Sequence, residues 1–239
     1  KQIEAFEGVV SASPVIYSQL AIQPKNSEMI EGMIYVKGIN PQQEDGVTGF
    51  SKFVDGSVDF KGSPLIERAR MRAAANQETI TGGIILGNYV ANRMGVTKGE
   101  VLRLISKMVQ NPADPNSFWP HIRNFVVIGV YESGMYTYDN AFGFIDLETA
   151  QKLYNKPNQI NMIEVRAVNA DMASTVRNRI QSTIRFDGGL AMPITNTWMD
   201  SHAPLFDAMK LEEIVTVIIE ALIILVAAFN IASTLIMMV

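Results

Sequence analysis

The final stretch of the chain, LEEIVTVIIEALIILVAAFNIASTLIMMV from Leu211 to Val239, limits what the molecule can be more than any other feature. From Ile214 onward only Thr216, Glu220, Asn230, Ser233 and Thr234 interrupt the apolar side chains. Wound as an α-helix, residues 214–239 would measure about 39 Å at roughly 1.5 Å per residue. The hydrocarbon core of a bilayer is about 30 Å thick and takes about 20 residues to cross. The run therefore predicts a transmembrane helix over 208–239. It stops without a finished-looking terminus, and Lys1-Gln2-Ile3-Glu4 opens without an export signal. Both ends lead us to expect a piece of a longer membrane protein.

That tail explains an unusual balance, 48% hydrophobic residues and 18% charged, against about 25% charged in an ordinary domain. Outside it, about 210 residues remain, room for one large domain or two small ones. The net charge of −4 comes with no Lys/Arg cluster that could track phosphates, so nucleic acid is not an expected partner. The chain has no cysteine, which excludes a disulfide framework and thiolate metal sites. It does not fix the compartment.

Along the chain, residues 9–22 read as a β-branched strand and GMIYVKGINP (Gly32 to Pro41) as a short apolar strand ended by a Gly-Ile-Asn-Pro turn. Residues 41–83 read as irregular, with one helix over 65–76. Then comes a strand at 84–86, a short helix stopped by Gly95, and strands at 101–105, 124–131 and 141–146. Asp146 should cap the helix LETAQKLY. A strand over 160–168, a helix over 171–184 and a strand near 190–194 complete an α+β pattern.

Enzyme chemistry finds little support. His121 and His202 are far apart and neither has a zinc-ligand pattern around it. GGIILG has neither the Lys-Ser/Thr of a P-loop nor a G-x-G-x-x-G run. No metal or cofactor is expected.

Asn111 to Pro120, NPADPNSFWP, lies between two strand-like segments and reads as the tip of a long hairpin. Pro112, Pro115 and Pro120 should stiffen it and deny it ladder hydrogen bonds. Phe118 and Trp119 then either fold back on the domain or serve as a rigid aromatic anchor for a protein partner. ESGMYTYDN (Glu132 to Asn140) reads as a second hairpin, with Met135, Tyr136 and Tyr138 expected to cover the core. In the terminal helix Asn230, Ser233 and Thr234 fall at i, i+3 and i+4 on one face. Glu220 precedes them by about three turns. A polar face there either packs on other helices or, for Glu220, reaches the interface.

GVTKGEVLRLI, FVVIGVYESGMYTYDNAFGFIDLETAQKLY and the terminal run, VAAFNIASTLIMMV above all, resemble the lipoprotein-releasing permeases of the LolC/LolE type. These are membrane subunits of ABC transporters in the FtsX-like, MacB-like superfamily. The resemblance implies an α+β fold: a porter-like periplasmic domain over 1–207, and within it a β-rich insertion over roughly 35–145 carrying a protruding hairpin. A transmembrane helix would follow over 208–239. It implies no enzyme activity on this chain, ATP being hydrolysed on a cytoplasmic ABC ATPase. It further implies a second permease subunit, a periplasmic lipoprotein carrier, a lipoprotein substrate, and a place in the bacterial inner membrane with the main domain in the periplasm. The family's carrier-binding hook would fall on Asn111, Pro112, Asp114, Pro115, Phe118, Trp119 and Pro120, with Arg123 in a contact patch at its base. Leu102 and Ile122 stand where that patch has polar residues elsewhere in the family. A LolC-type and a LolE-type role both stay open, as does an efflux-type or cell-division-type permease with a different client.

Overall fold

The computed structural model describes residues 3–25, 27, 29–111, 114–184 and 194–238, with the backbone alone for 107–120. The chain divides into two compact units, Lys1–Val168 and Asn169–Val239.

The first unit runs β1 (Val9–Pro24), β2 (Gly32–Ile39), α1 (Pro41–Thr48), β3 (Val54–Gly56), α2 (Pro64–Ala74), β4 (Ile80–Gly87), α3 (Asn88–Met94), β5 (Val101–Asn111), β6 (Asp114–Tyr131), α4 (Tyr136–Asp139), β7 (Phe142–Asp146), α5 (Leu147–Leu153) and β8 (Met162–Ala167). The strands form a mixed sheet in the order β2-β7-β4-β6-β5-β1-β8. A further antiparallel pairing of β1 with β2, from Ile16↔Gly38 to Ile22↔Gly32, closes the ring. Strands β1, β2, β7, β4, β6 and β5 thus form a barrel, and β8 lies antiparallel along the first half of β1.

Strand β4 carries apolar residues at consecutive positions because it is buried on both faces. Ile84 and Leu86 of β4 point into the cluster that draws on all the ring strands, with Leu20, Val36, Leu104, Phe125, Val127 and Ile145. Between them, Ile85 faces a second cluster with Val126, Ile128 and Phe144, roofed by Ile66, Ala69 and Ala73 of α2 and by Phe50. Each fully buried aliphatic of this kind contributes about 1.5–3 kcal/mol relative to exposure, so the ring has two cores holding it. Helix α3 ends at Gly95 in the left-handed region, φ 60°. Asp146 caps α5 by accepting from the Thr149 amide at 3.0 Å.

The stretch expected to be irregular holds a helix. Asn40 accepts from the Gln42 and Gln43 amides, Pro41 takes the first position, and Gly49 closes α1 at φ 69°. PQQEDGVT is short and polar, so its caps rather than its periodicity announce it. The ESGMYTYDN segment is a loop followed by α4 and not a hairpin. The strand expected near 190–194 falls almost wholly outside the described residues.

The second unit contains α6 (Ala173–Thr183), α7 (Trp198–Ser201) and α8 (Ala203–Met238). Thr197 and Asp200 form a capping box on α7, and Arg177 joins Asp200 at 2.8 Å. Two hydrogen bonds from Thr197, from its backbone and then its hydroxyl, with the Arg177 guanidinium beside them, hold the Asp200 carboxyl below the usual range. Among the described residues α8 is the one helix long and apolar enough to cross a membrane, with a mean hydropathy of 2.7 over its most apolar window. The α+β fold ending in an apolar helix is the one expected.

Candidate functional site

Barrel strands β5 and β6 extend beyond the ring. Pairing of β5 with β1 ends at Ala21↔Ile105, and pairing of β6 with β4 begins at Ile80↔Asn124. Beyond these points the two strands pair with each other alone among the described residues, as far as Asn111↔Asp114. At about 3.3 Å per residue, the six steps from Ile105 to Asn111 carry this two-stranded ribbon about 20 Å. An isolated hairpin is marginally stable in water, so the barrel is its anchor.

The hairpin expected from the sequence is therefore present, but its strands run farther than expected. Asp114, Pro115, Phe118, Trp119 and Pro120 belong to β6, with Phe118 opposite Gln110 and Trp119 opposite Val109. Pro112 lies outside the described residues. The ladder accommodates the prolines at its irregularities: the register shifts between Ile105 and Met108, opposite Pro120, and again between Gln110 and Asn111, across the stretch holding Pro115. A residue with no amide hydrogen is tolerated where a bulge has already broken the ladder.

At the base, Ser106 Oγ lies 3.0 Å from His121 Nδ1. Arg123 sits opposite Leu104 and is exposed, as is Ile122. Leu102 is different. It is fully buried in the barrel core, so it is no surface contact position, and of the patch assigned by resemblance Ile122 and Arg123 reach solvent.

The ESGMYTYDN loop corrects a second expectation. Met135, Tyr136 and Tyr138 do not cover the core; they are 51%, 62% and 41% exposed. Tyr136 packs edge-on against Tyr89 and Tyr138 stacks on Phe142. The buried residue is Asp139, whose carboxylate accepts from the Ser133 amide at 2.9 Å, the Ser133 hydroxyl at 2.8 Å and the Gly134 amide at 3.1 Å. Acceptance from several donors is what makes a buried carboxylate tolerable.

In α8, Asn230 and Thr234 line one shallow groove with Ile231 and Leu235. Thr234 donates its hydroxyl back to the Asn230 carbonyl at 2.8 Å. At about 100° per residue, Glu220 falls roughly 40° from Thr234 and farther from Asn230 and Ser233. The polar residues form a broad stripe rather than one line.

The sequence motifs did not single out Lys37, Glu44 and Glu164, which three separate elements bring together inside the first unit. The available signal was a lysine inside the apolar run GMIYVKGI. Among the described residues there is no group of acidic or imidazole side chains arranged to hold a metal ion.

No protein-family model matches the chain. Among solved structures, the periplasmic region of MacB from Actinobacillus actinomycetemcomitans is similar at a TM-score of 0.43 and 14% identity, over 76% of this chain and 70% of that one. The extracellular domain of the noncanonic ABC-type transporter YknZ from Gram-positive bacteria is similar at 0.41 and 13%, over 74% of each. Both likenesses are too loose to bear on function. Sequence relatives say more. The lipoprotein-releasing system transmembrane protein LolC of Neisseria meningitidis serogroup B is 25% identical over 233 residues, 97% of this chain and 50% of its own length. The protein of the same name from Xylella fastidiosa is 25% identical over 232 residues, again 97% of this chain and 49% of its own. The chain thus spans about half the length of the curated relatives it matches. Over nearly all of its own length, it is similar to the lipoprotein-releasing transmembrane proteins, as its motifs led us to expect.

Proposed function

We propose that this chain is part of a permease subunit of an ABC transporter that releases lipoproteins from the inner membrane to a periplasmic carrier. The near full-length similarity to LolC proteins carries the reading. In it, residues 1–207 lie in the periplasm, the β-rich part over roughly 35–145 supplies the ribbon, and 208–239 enter the bilayer. ATP is hydrolysed on a separate cytoplasmic subunit, and a second permease subunit completes the pore. Glu220, Asn230, Ser233 and Thr234 face other helices, because an unpartnered polar group in lipid costs several kcal/mol. An acyl chain gains about 0.8 kcal/mol per buried CH₂, so a lipoprotein needs a sheltered hand-over. The β5–β6 ribbon, free of other strands among the described residues, suits a contact with the carrier.

A photo-crosslinking amino acid at Gln110 should give an adduct with the soluble carrier, and one at Met33, an exposed position of β2, should not. Adducts from Met33 alone would remove the ribbon from the proposal. Arg123→Ala should slow association several-fold and flatten its salt dependence while dissociation changes little, as for a rim charge. Stopped-flow binding at two ionic strengths checks it.

A further inference from the structure

Lys37 Nζ, on β2, lies 2.7 Å from Glu44 Oε1 of α1 and 2.8 Å from the Glu164 carboxylate of β8. The Lys37 and Glu44 side chains are 10% and 1% exposed. Two ionised carboxylates against one ammonium would leave a net charge of −1 at a site where Glu164, 27% exposed, still reaches water. Among the described residues the buried Glu44 Oε2 has no hydrogen-bond partner, and nor does the buried Ser13 Oγ; Ser13 is the cross-strand partner of Glu164. The Glu44 and Glu164 carboxyls lie against the same ammonium, at 2.7 and 2.8 Å. Two carboxylates held on one ammonium repel each other unless one of them carries a proton, as in carboxyl pairs that cannot both ionise.

We infer that Glu44 and Glu164 share one proton, with Lys37 as their common cation, and that this proton clasps β8 to α1. The protonated Glu164 supplies the O–H that Glu44 Oε2 otherwise lacks. Burial holds the Glu164 carboxyl above the ordinary glutamate range; Lys37 opposes this and Glu44 reinforces it.

The other groups around the pair are occupied. Asp45 of α1 is turned to the Ser51 amide at 2.8 Å, and Arg166 of β8 reaches the Gly46 carbonyl at 3.5 Å. Thr48 Oγ1 stands 3.4 Å from Glu44 Oε1. The Tyr131 phenol in β6, pushed up to about 12 by burial and then by Asp139 and Glu44, stays protonated throughout. Strand β8 is the last element of the first unit before the chain passes to the unit that holds α8. A clasp on β8 therefore grips the strand through which a pull along the chain would act.

The pH dependence has a definite sign. A carboxyl raised in the folded state stabilises fully below the unfolded glutamate value of about 4.3, and that stability is lost as pH rises through the folded value. The thermal midpoint of the purified full chain in detergent should fall as pH rises above that unfolded value. Glu164→Gln, neutral at every pH and still able to donate to Glu44, should lose that fall. Infrared spectra at pH 7 should show the C=O band of a protonated carboxyl in the wild type and not in Glu164→Gln. Should that variant fail to fold, Glu44→Gln should also lose the band, because Glu164 would then ionise against Lys37 alone. A wild type without the band, or a slope surviving in both variants, overturns the inference. So does a midpoint that rises when choline is exchanged for sodium and no longer does so in the variants, since a metal cation would then hold the place of the proton.

Discussion

Trp119→Ala should lower the affinity of the chain for a soluble lipoprotein carrier about thirtyfold and leave the thermal midpoint nearly unchanged. An aromatic at the centre of an interface costs at least about 2 kcal/mol on truncation, which is roughly that factor in dissociation constant. The ribbon makes the second half of the expectation possible. Trp119 is paired with Val109 in a stretch where β5 and β6 pair with no other strand among the described residues, away from the ring that holds both cores. The backbone there is fixed by the ladder before any partner arrives, so little further ordering is required on binding. Titration calorimetry against the carrier and a melting curve together decide the matter. A lowered midpoint with intact carrier binding would mean that the ring serves the fold, and an efflux-type or other client would become the better reading.

Gly87→Ala should be the most damaging small substitution in the barrel. A Cβ at Gly87 would lie 2.2 Å from the Asp139 carbonyl oxygen and 2.7 Å from its carbonyl carbon. The obstacle is backbone, so no rotamer change relieves it. Asp139 is itself held by the Ser133 and Gly134 donors, which prevents the loop from backing away. Overpacking of this kind costs about 3 kcal/mol or more, and in a chain of this size that is a fall of roughly 10 °C. Gly82→Ala is the matched control, because its Cβ would meet the Phe60 carbonyl at 3.5 Å, an ordinary contact. Equal melting of the two variants would show that the β4–α4 junction is looser than these distances imply.

Features set by neighbours a few residues apart are legible in the amino-acid sequence. The Asp146 cap on α5 and the Gly95 stop of α3 depend on hydrogen bonds that close within one turn. The apolar length of α8 depends on composition alone. So did the existence of the 101–131 hairpin, though its extent did not: prolines that discourage pairing in general are admitted where the register shifts. Helix α1 lay in between, written in Asn40, Pro41 and Gly49 but hidden from a reading based on periodicity.

Composition and local signals determined that this chain has an α+β body, a long hairpin and a helix of membrane length. Tertiary structure alone decided the rest, because pairing and burial join residues whose separation no local rule spans. Closure of the ring needs Ile16 to meet Gly38. The turn from Ile84 to Ile85 to Leu86 between two cores needs helices on the outer face. Leu102, which the resemblance alone placed in a contact patch, went inside because β5 is a ring strand. Lys37 and Glu164 stand 127 positions apart, and only the fold, by bringing both against the buried Glu44, turned three ordinary charged residues into one site.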